Sequence, residues 1–237
     1  MPRFFVDTPL AATDGDIALP SGAARHVQVL RLQPGDALTL FDGSGPEWQA
    51  EVTAMGRSEV RVRLIAAAQP QRELARHITL AVVMPANDRM DFLVEKASEL
   101  GAATLQPLMG ERSVLRLNGE RADKKRSHWQ GVAIAAAEQC GRTVPLHVEP
   151  VQTLSAWLAA LAPAVDEWRG LLSPRAASSL AAFPQQRALF LSGPEGGLSE
   201  AEEDAARARG FAAITLGPRI LRADTAPLAV LSWLALS

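Results

Sequence analysis

Cysteine is nearly absent from this chain, since Cys140 is the only one among 237 residues. One cysteine cannot form an internal disulfide, so the composition fits a reducing compartment. Long apolar runs are also absent, because polar residues interrupt every stretch of the roughly 18 residues that a membrane-spanning helix needs. The opening residues, Met1-Pro-Arg-Phe-Phe-Val-Asp, lack a signal-peptide pattern. We therefore expect a cytoplasmic protein with no membrane segment.

The chain also lacks a strong excess of one charge. Its net charge is −2, with 48% hydrophobic and 21% charged residues, which favours a globular protein and does not by itself indicate nucleic-acid binding. Charge is unevenly distributed, however, because residues 112–142 include seven basic and three acidic side chains. This local excess of positive charge suits contact with phosphates, although a solvated helix face explains it equally well.

Motifs for several kinds of chemistry are missing. The histidines are scattered without metal-ligand spacing, so we expect no metal site; they are His26, His77, His128 and His147. Neither a Gly-x-Gly-x-x-Gly motif nor a Gly-Lys-Ser/Thr phosphate loop occurs, which disfavours a dinucleotide or a triphosphate. The Gly-x-Ser-x-Gly motif is absent, and Cys140 has no evident activating partner. The remaining possibility is chemistry supplied by a cofactor that the protein binds and orients.

Two glycine-rich segments near the carboxyl end are the most informative feature that is present. The apolar run 188–192 leads into Gly193-Pro-Glu-Gly-Gly, and the run 214–216 leads into Gly217-Pro-Arg-Ile-Leu-Arg. Each pattern predicts a strand followed by a turn and a helix, and parallel sheets bind ligands at the carboxyl ends of their strands. Glycine lets the backbone approach a ligand closely. The backbone groups of two such turns suit a flat hydrogen-bonding group such as adenine.

The hydrophobic pattern divides the chain in two. Residues 1–68 contain short alternating strands, such as Glu59-Val-Arg-Val-Arg-Leu-Ile, and predict a small β-barrel. Residues 69–76 are polar and contain proline, which predicts a linker. Strands alternate with helices over residues 77–237, which predicts an α/β domain with a parallel sheet.

These segments also resemble a known family. Gly193-Pro-Glu-Gly-Gly-Leu-Ser-x-x-Glu and Leu216-Gly-Pro-Arg-Ile-Leu-Arg are similar to motifs of the bacterial 16S ribosomal RNA uridine N3-methyltransferases of the SPOUT superfamily. Other segments match in order along nearly the whole chain, among them Pro2-Arg-Phe-Phe, Lys96-Ala-Ser-Glu-Leu-Gly and Glu138-Gln-Cys-Gly-Arg. The resemblance implies an N-terminal PUA-like β-barrel and a C-terminal SPOUT domain with a trefoil knot. It also implies S-adenosylmethionine as cofactor and a homodimer that completes the site.

The resemblance further implies a substrate and a set of site residues. The substrate would be the uridine at position 1498 of 16S rRNA within the 30S subunit. The implied cofactor-binding residues come from three loops: Leu172 and Ser173; Gly193, Glu195, Gly196 and Gly197; and Leu216, Gly217, Ile220, Leu221 and Arg222. As RNA contacts we consider a set of basic residues, for each of which a solvated surface role stays open: Arg3, Arg25 and Arg31 in the barrel, and Arg112, Lys124, Lys125 and Arg142 in the larger domain.

A chemical hypothesis follows for the catalytic residues. Uracil N3 carries a proton at neutral pH, so an enzyme that methylates it must accept that proton or stabilise the uracil anion. We expect Arg222 or Arg219 to stabilise charge on the uracil carbonyls, while Glu195 or Asp224 accepts the proton or orients an arginine. Relatives commonly carry glutamate at the position of Asp224. This carboxylate either acts in the site or caps the last helix, and we favour capping.

Two other functions remain open on the sequence alone. A SPOUT methyltransferase that acts on the ribose 2′-hydroxyl would share the glycine-rich turns, and a non-catalytic RNA-binding assembly factor would keep the fold without the activity. The predicted barrel with Pro2-Arg-Phe-Phe favours the uridine-N3 family over the first alternative. The intact turns and Arg222 argue against the second.

Overall fold

The chain forms two compact units. In a computed structural model, residues 1–12, 15–57, 59–86 and 89–236 are described. The first unit contains residues 1–73 and 137–145, and the second contains residues 74–136 and those from 146 onward. Within these described ranges no helix is both long and apolar enough to cross a membrane.

The first unit is built on a five-stranded sheet. Its elements are β1 (Arg3–Phe5), β2 (Ile17–Ala18), α1 (Ser21–Val29), β3 (Ala37–Phe41), β4 (Glu47–Met55) and β5 (Val60–Ala68). The strand order is β1-β3-β4-β5-β2, and only the β1–β3 pair is parallel. The alternation predicted for β5 is confirmed, since Val60 and Val62 are buried while Arg61 and Arg63 are exposed. Two register shifts between β4 and β5 add the local twist and bending that bulges introduce.

The second unit alternates strands with helices, as the sequence predicts. Its first elements are β6 (His77–Val83), α2 (Arg89–Glu99), β7 (Thr104–Met109), α3 (Gly119–Cys140, whose last four residues belong to the first unit), β8 (His147–Val148), β9 (Gln152–Thr153) and α4 (Leu154–Ala160). They are followed by β10 (Glu167–Leu172), β11 (Arg187–Ser192), α5 (Glu200–Ala208), β12 (Ala212–Ile214) and α6 (Thr225–Ala235). All pairings in this sheet are parallel, which confirms the predicted α/β domain.

Apolar layers cover both faces of the central strands. In β6, Ile78 and Leu80 belong to one buried cluster, whereas the alternate residues Ala81 and Val83 belong to another. Successive side chains of a strand point to opposite faces, so helices must pack on both sides of this sheet. This explains why β6 is continuously apolar rather than alternating.

The strand order determines where the glycine-rich loops lie. The sheet runs β12-β10-β11-β6-β7-β8, with β9 also paired to β7. Consequently β10 lies between β11 and β12 in the sheet. In the chain the order is β10, β11, α5 and β12. Because the three strands are parallel, the loops that leave their carboxyl ends emerge at the same edge of the sheet.

Candidate functional site

The loops after β10, β11 and β12 converge on one pocket, which we call the loop pocket. Its volume is about 490 Å³, within the range of about 300–1,000 Å³ that small-molecule sites occupy. Its lining includes ten of the residues predicted to bind the cofactor: Leu172, Ser173, Gly193, Glu195, Gly196, Gly197, Leu216, Ile220, Leu221 and Arg222. Gly217 is not part of this lining. With a φ of 101° it forms the turn that leads to Arg219, a conformation that glycine adopts without strain.

The loop after β10 is fixed by a buried carboxylate on α5. Glu203 is 6% exposed, and its Oε1 accepts hydrogen bonds from Ser173 Oγ at 3.2 Å and from Arg175 Nη2 at 2.7 Å. Its Oε2 accepts one from Arg207 at 2.7 Å. Burial alone would raise the pKa of Glu203, but the hydrogen bonds and charge of Arg175, aided by Ser173 and Arg207, hold the pKa below its ordinary value of 4.5. Glu203 is therefore a charged anchor at the pocket wall.

The loop after β11 is held by contacts to two other parts of the unit. Glu195 Oε1 accepts hydrogen bonds from the backbone N–H of Ala86 at 3.1 Å and from Arg89 Nη1 at 3.2 Å. Arg112 Nη1 donates to the Gly196 carbonyl at 2.8 Å. A Cβ on Gly193 would lie 3.0 Å from the Leu198 nitrogen and 3.2 Å from the Gly197 carbonyl carbon, so the loop leaves little room for a side chain there.

A capping box sets the start of α5 directly after this loop. Ser199 Oγ accepts a hydrogen bond from the Glu202 N–H, and the Glu202 carboxylate accepts one from the Ser199 N–H. Such a reciprocal pair fixes the first turn of a helix. It thereby positions Glu203, which belongs to the same turn.

The loop after β12 presents two exposed arginines, Arg219 and Arg222. Within the described parts of the chain, no carboxylate pairs with the guanidinium of Arg222. Asp224 occupies the N-cap position of α6, yet its carboxylate accepts no capping hydrogen bond, so the capping prediction is wrong. Its backbone is helical, with φ −80° and ψ −33°, whereas a capping residue adopts an extended conformation that turns its side chain onto the first-turn N–H groups.

Asp224 instead lines a second depression, which we call the side hollow. The side hollow has a volume of about 720 Å³ and is lined by Ala86, Arg89, Phe92, Val114, Glu195, Arg222 and Asp224. It shares Arg89, Glu195 and Arg222 with the loop pocket. The Oδ1 atom of Asp224 is buried, and no group in the described ranges hydrogen-bonds it.

Sequence reasoning missed several residues that line the loop pocket, including Ser192, Arg89, Arg175 and Glu203. Ser192 is 2% exposed, and its Oγ has no hydrogen-bond partner among the residues described. Its position immediately before Gly193, at the end of a predicted strand, is a signal that points to this edge of the sheet. Arg175 and Glu203 carry no comparable signal, because they meet only in the folded chain.

The residues predicted to contact RNA divide into three groups. Arg25, Arg31, Lys124 and Lys125 are exposed, and Lys124 pairs with Glu120 at 2.7 Å. Arg112 lies at the wall of the loop pocket. The side chains of Arg3 and Arg142 are engaged inside the first unit.

The predictions that Arg3 and Arg142 contact RNA are therefore corrected. Arg142 is 4% exposed and forms an ion pair of 2.7 Å with Glu73. Arg3 pairs with Glu47 and donates to the backbone carbonyls of Gly141 and Arg142. Moving the Arg142 guanidinium to a phosphate would break its ion pair with the partly buried Glu73, which is costly. Moving Arg3 would break its pair with Glu47, which also pairs with Arg72, and its hydrogen bonds to two backbone carbonyls.

Comparisons with known proteins agree with this architecture. A family model for an RNA methyltransferase domain matches residues 72–235, and one for an RNA methyltransferase PUA domain matches residues 19–65. The ribosomal RNA small subunit methyltransferase E of Bacillus subtilis is 31% identical over 243 residues, which cover 98% of this chain and 95% of the relative. The protein of the same name from Synechocystis is 32% identical over 235 residues, which cover 96% and 75%.

A solved structure of similar sequence has the same fold. The crystal structure of a ribosomal RNA small subunit methyltransferase E from Neisseria gonorrhoeae, bound to S-adenosyl methionine, matches with a TM-score of 0.92 at 34% identity and covers 100% of this chain and 97% of that one. The resemblance and the mixed α/β fold with an N-terminal PUA domain are thus confirmed. This chain belongs to the ribosomal RNA small subunit methyltransferase E family.

Proposed function

We propose that this protein uses S-adenosylmethionine to methylate N3 of the uridine at position 1498 of 16S rRNA in the 30S subunit. The observation that carries the proposal is the convergence of three loops on the loop pocket. It is supported by the Neisseria gonorrhoeae relative, which binds S-adenosyl methionine, and by the small-subunit rRNA methyltransferase names of the relatives.

The residues of the loop pocket fit this cofactor. Leu216, Ile220 and Leu221 offer apolar surface for an adenine ring. The hydroxyl of Ser192, which no described residue hydrogen-bonds, and the backbone groups around Gly193 suit polar atoms of the ligand. S-adenosylmethionine supplies a methyl group on a sulfonium, which is already an activated electrophile. The protein therefore has to prepare the nucleophile.

We assign that preparation to Arg222 and Asp224. Arg222 is exposed and lines both the loop pocket and the side hollow, so its guanidinium can stabilise negative charge on the uracil carbonyls. Glu195 already accepts two hydrogen bonds through Oε1, whereas the Asp224 carboxylate lines the side hollow and accepts no capping hydrogen bond from α6. Asp224 is thus the better acceptor for the N3 proton, and Glu195 orients Arg89.

We propose that the remaining basic candidates hold the RNA. Arg25 and Arg31 would act from a barrel domain of residues 1–68, and Lys124 and Lys125 from a methyltransferase domain of residues 77–237, with residues 69–76 as the linker. Arg112 would act beside the cofactor, given its bond to Gly196. The trefoil knot, the homodimer and the cytoplasmic location also stay part of this proposal.

The experiment that tests the function is methyl transfer to undermethylated 30S subunits with a labelled donor. Nuclease digestion and mass spectrometry would then locate the methyl group. We expect 3-methyluridine at position 1498 and weaker methylation of naked rRNA. A methyl group on a ribose 2′-oxygen would contradict the proposed reaction, and binding of the cofactor without any transfer would indicate a non-catalytic assembly factor.

A further inference from the structure

The side hollow contains an apolar element that the proposed chemistry does not use. Phe92 lies on α2, where Met90, Leu93 and Val94 are fully buried, yet Phe92 itself is 48% exposed. Val114, which also lines the side hollow, is 79% exposed. Within the described part of the chain, no other aromatic ring pairs with Phe92. Apolar surface that is rimmed by charged groups in a concave site is typical of ligand binding.

We propose that the side hollow is the subsite for the extruded uracil base, with Phe92 as the surface on which the base stacks. This inference rests on the proposed function, because it names where the substrate of that reaction is held. Enzymes that act on a base take it out of the stack and recover the lost energy in part by stacking it on aromatic or apolar side chains. Phe92 and Val114 are large, exposed apolar side chains that line the side hollow and offer such a surface.

The polar groups of the side hollow match the hydrogen-bonding edge of uracil. That edge presents two carbonyl acceptors on either side of the N3–H donor. Arg89 and Arg222 supply donors, and the Asp224 carboxylate, which lines the side hollow, supplies an acceptor. Cytosine presents an acceptor at N3 and a donor at its amino group. A carboxylate would repel the N3 lone pair of cytosine, so the same groups select uracil.

The position of the side hollow relative to the loop pocket fits a transfer between them. Arg89, Glu195 and Arg222 line both. The base and the methyl donor would therefore lie in adjoining depressions, with these three side chains next to both. In the transfer, the N3–H proton passes to Asp224, the N3 electron pair forms the new N–CH₃ bond, and the C–S bond breaks with its electron pair returning to sulfur.

The first test is a series of variants at Phe92 in the full-length protein. Phe92→Ala and Phe92→Leu remove the aromatic ring, whereas Phe92→Trp keeps an aromatic ring at this position. Base–aromatic stacking contributes about 1–3 kcal/mol, so we expect roughly a 5- to 150-fold loss in kcat/KM on 30S subunits for the first two, carried mostly by KM. Phe92→Trp should stay near wild type. The affinity for S-adenosylmethionine, measured by calorimetry, should not change, since Phe92 does not line the loop pocket.

Val165→Ala is the matched control. Val165 is 76% exposed and lines neither depression, so its truncation should leave kcat/KM unchanged. Wild-type kinetics in Phe92→Ala and Phe92→Leu would overturn the stacking role. A change of sedimentation from dimer to monomer in these variants would also overturn it, because Phe92 would then belong to a contact between two copies of the chain.

The second test does not depend on catalysis. RNA with 4-thiouridine at the target position is irradiated with the protein, and the crosslinked tryptic peptide is identified by mass spectrometry. We expect the peptide Met90–Lys96, which contains Phe92 and is released by cleavage after Arg89 and Lys96. Crosslinks only to peptides outside the side hollow would reject the subsite. If the wild type methylates another atom but still crosslinks through this peptide, the proposed reaction fails while the subsite stands.

Discussion

Glu203 on α5 accepts a hydrogen bond of 2.7 Å from Arg175, a residue of the loop after β10, and so joins two walls of the loop pocket. The same carboxylate accepts a hydrogen bond from Ser173. Glu203→Gln removes the charge on which Arg175 and Arg207 depend. A hydrogen bond to a charged group contributes about 1.5–3 kcal/mol when it is buried, but Arg175 and Arg207 are about half exposed and solvent weakens their bonds. We therefore expect a total loss of only about 2 kcal/mol in the free energy of unfolding. The affinity for S-adenosylmethionine should fall with it, as measured by calorimetry.

Glu200→Gln provides the control for this change. Glu200 lies on the same helix but is exposed, so its neutralisation should leave both quantities nearly unchanged. Equal effects of the two variants would show that the net charge of α5, and not the anchor at Glu203, supports the pocket.

The pH dependence of stability gives a separate prediction for Glu203. Because the pKa of its carboxyl is lowered from 4.5 in the folded protein, the unfolded chain binds this proton more readily. The stabilisation is therefore complete above pH 4.5 and is lost as the pH falls through the lower folded pKa. Urea denaturation should show a difference between wild type and Glu203→Gln that is constant near neutral pH and shrinks in acid. A difference that grows in acid would have the wrong sign.

Ser192 should affect stability and affinity in opposite directions. Its Oγ is buried without a partner among the described residues, so Ser192→Ala should leave the free protein as stable as wild type, or slightly more stable. If the hydroxyl bonds the cofactor, the variant loses about 0.5–1.5 kcal/mol of binding, or roughly 2- to 12-fold in Kd. Thermal denaturation and calorimetry measure the two quantities. Unchanged affinity would remove Ser192 from the cofactor site.

The backbone at Gly193 should be sensitive to a single methyl group. A Cβ there would lie 3.0 Å from the Leu198 nitrogen, so Gly193→Ala must displace the loop. We expect cofactor affinity to fall by roughly tenfold or more, the equivalent of about 1.4 kcal/mol. Gly131→Ala is the control, since a Cβ on Gly131 in α3 meets nothing within 4 Å. Alanine in a helix interior should stabilise the protein by about 0.5–1 kcal/mol.

The edge of the sheet that carries the site could be predicted from the sequence. The apolar runs before Gly193 and Gly217 predict strands that end in turns, and the parallel sheet brings these turns together. The alternation in β5 follows from local periodicity. These features depend on neighbours in the chain, which is why a pattern reveals them.

The anchors of the site could not be predicted in this way. Glu203 and Arg175 form a hydrogen bond although they are 28 positions apart in the sequence, and Glu195 and Arg89 do so although they are 106 positions apart. Arg142 contributes to the local basic excess, yet it is buried against Glu73, 69 positions earlier. No hydrophobic period encodes such pairings. Counting basic residues therefore overestimated the surface that is available to RNA.

Arg222 should matter more for turnover than for cofactor binding. If its guanidinium stabilises the uracil anion, Arg222→Ala should lower kcat by about 100- to 1,000-fold. The Kd for S-adenosylmethionine, measured by calorimetry, should change only slightly. Arg187→Ala is a suitable control, because Arg187 is exposed at the amino end of β11, away from the ligand edge. Equal losses of kcat and affinity in Arg222→Ala would mean that this residue only shapes the pocket.

Asp224 should be required for the chemical step and dispensable for folding. Its Oδ1 is buried without a partner in the described ranges, so Asp224→Asn removes a desolvated charge and should not destabilise the protein. An amide cannot accept the N3 proton, and loss of a general base lowers kcat by about 100- to 10,000-fold. Asp224→Glu keeps the carboxylate and should retain most of the activity. Asp204→Asn, at an exposed carboxylate of α5, should have no effect on kcat.

Three measurements separate this role from a structural one. Single-turnover methylation reports the chemical step, thermal denaturation reports folding, and calorimetry reports cofactor binding. If Asp224 is the general base, Asp224→Asn should change only the single-turnover rate of methylation. Raising the pH should then restore part of that rate, because hydroxide replaces the missing acceptor. Parallel losses of stability and rate would assign Asp224 to the packing of α6, and full activity in Asp224→Asn would leave Glu195 as the acceptor of the proton.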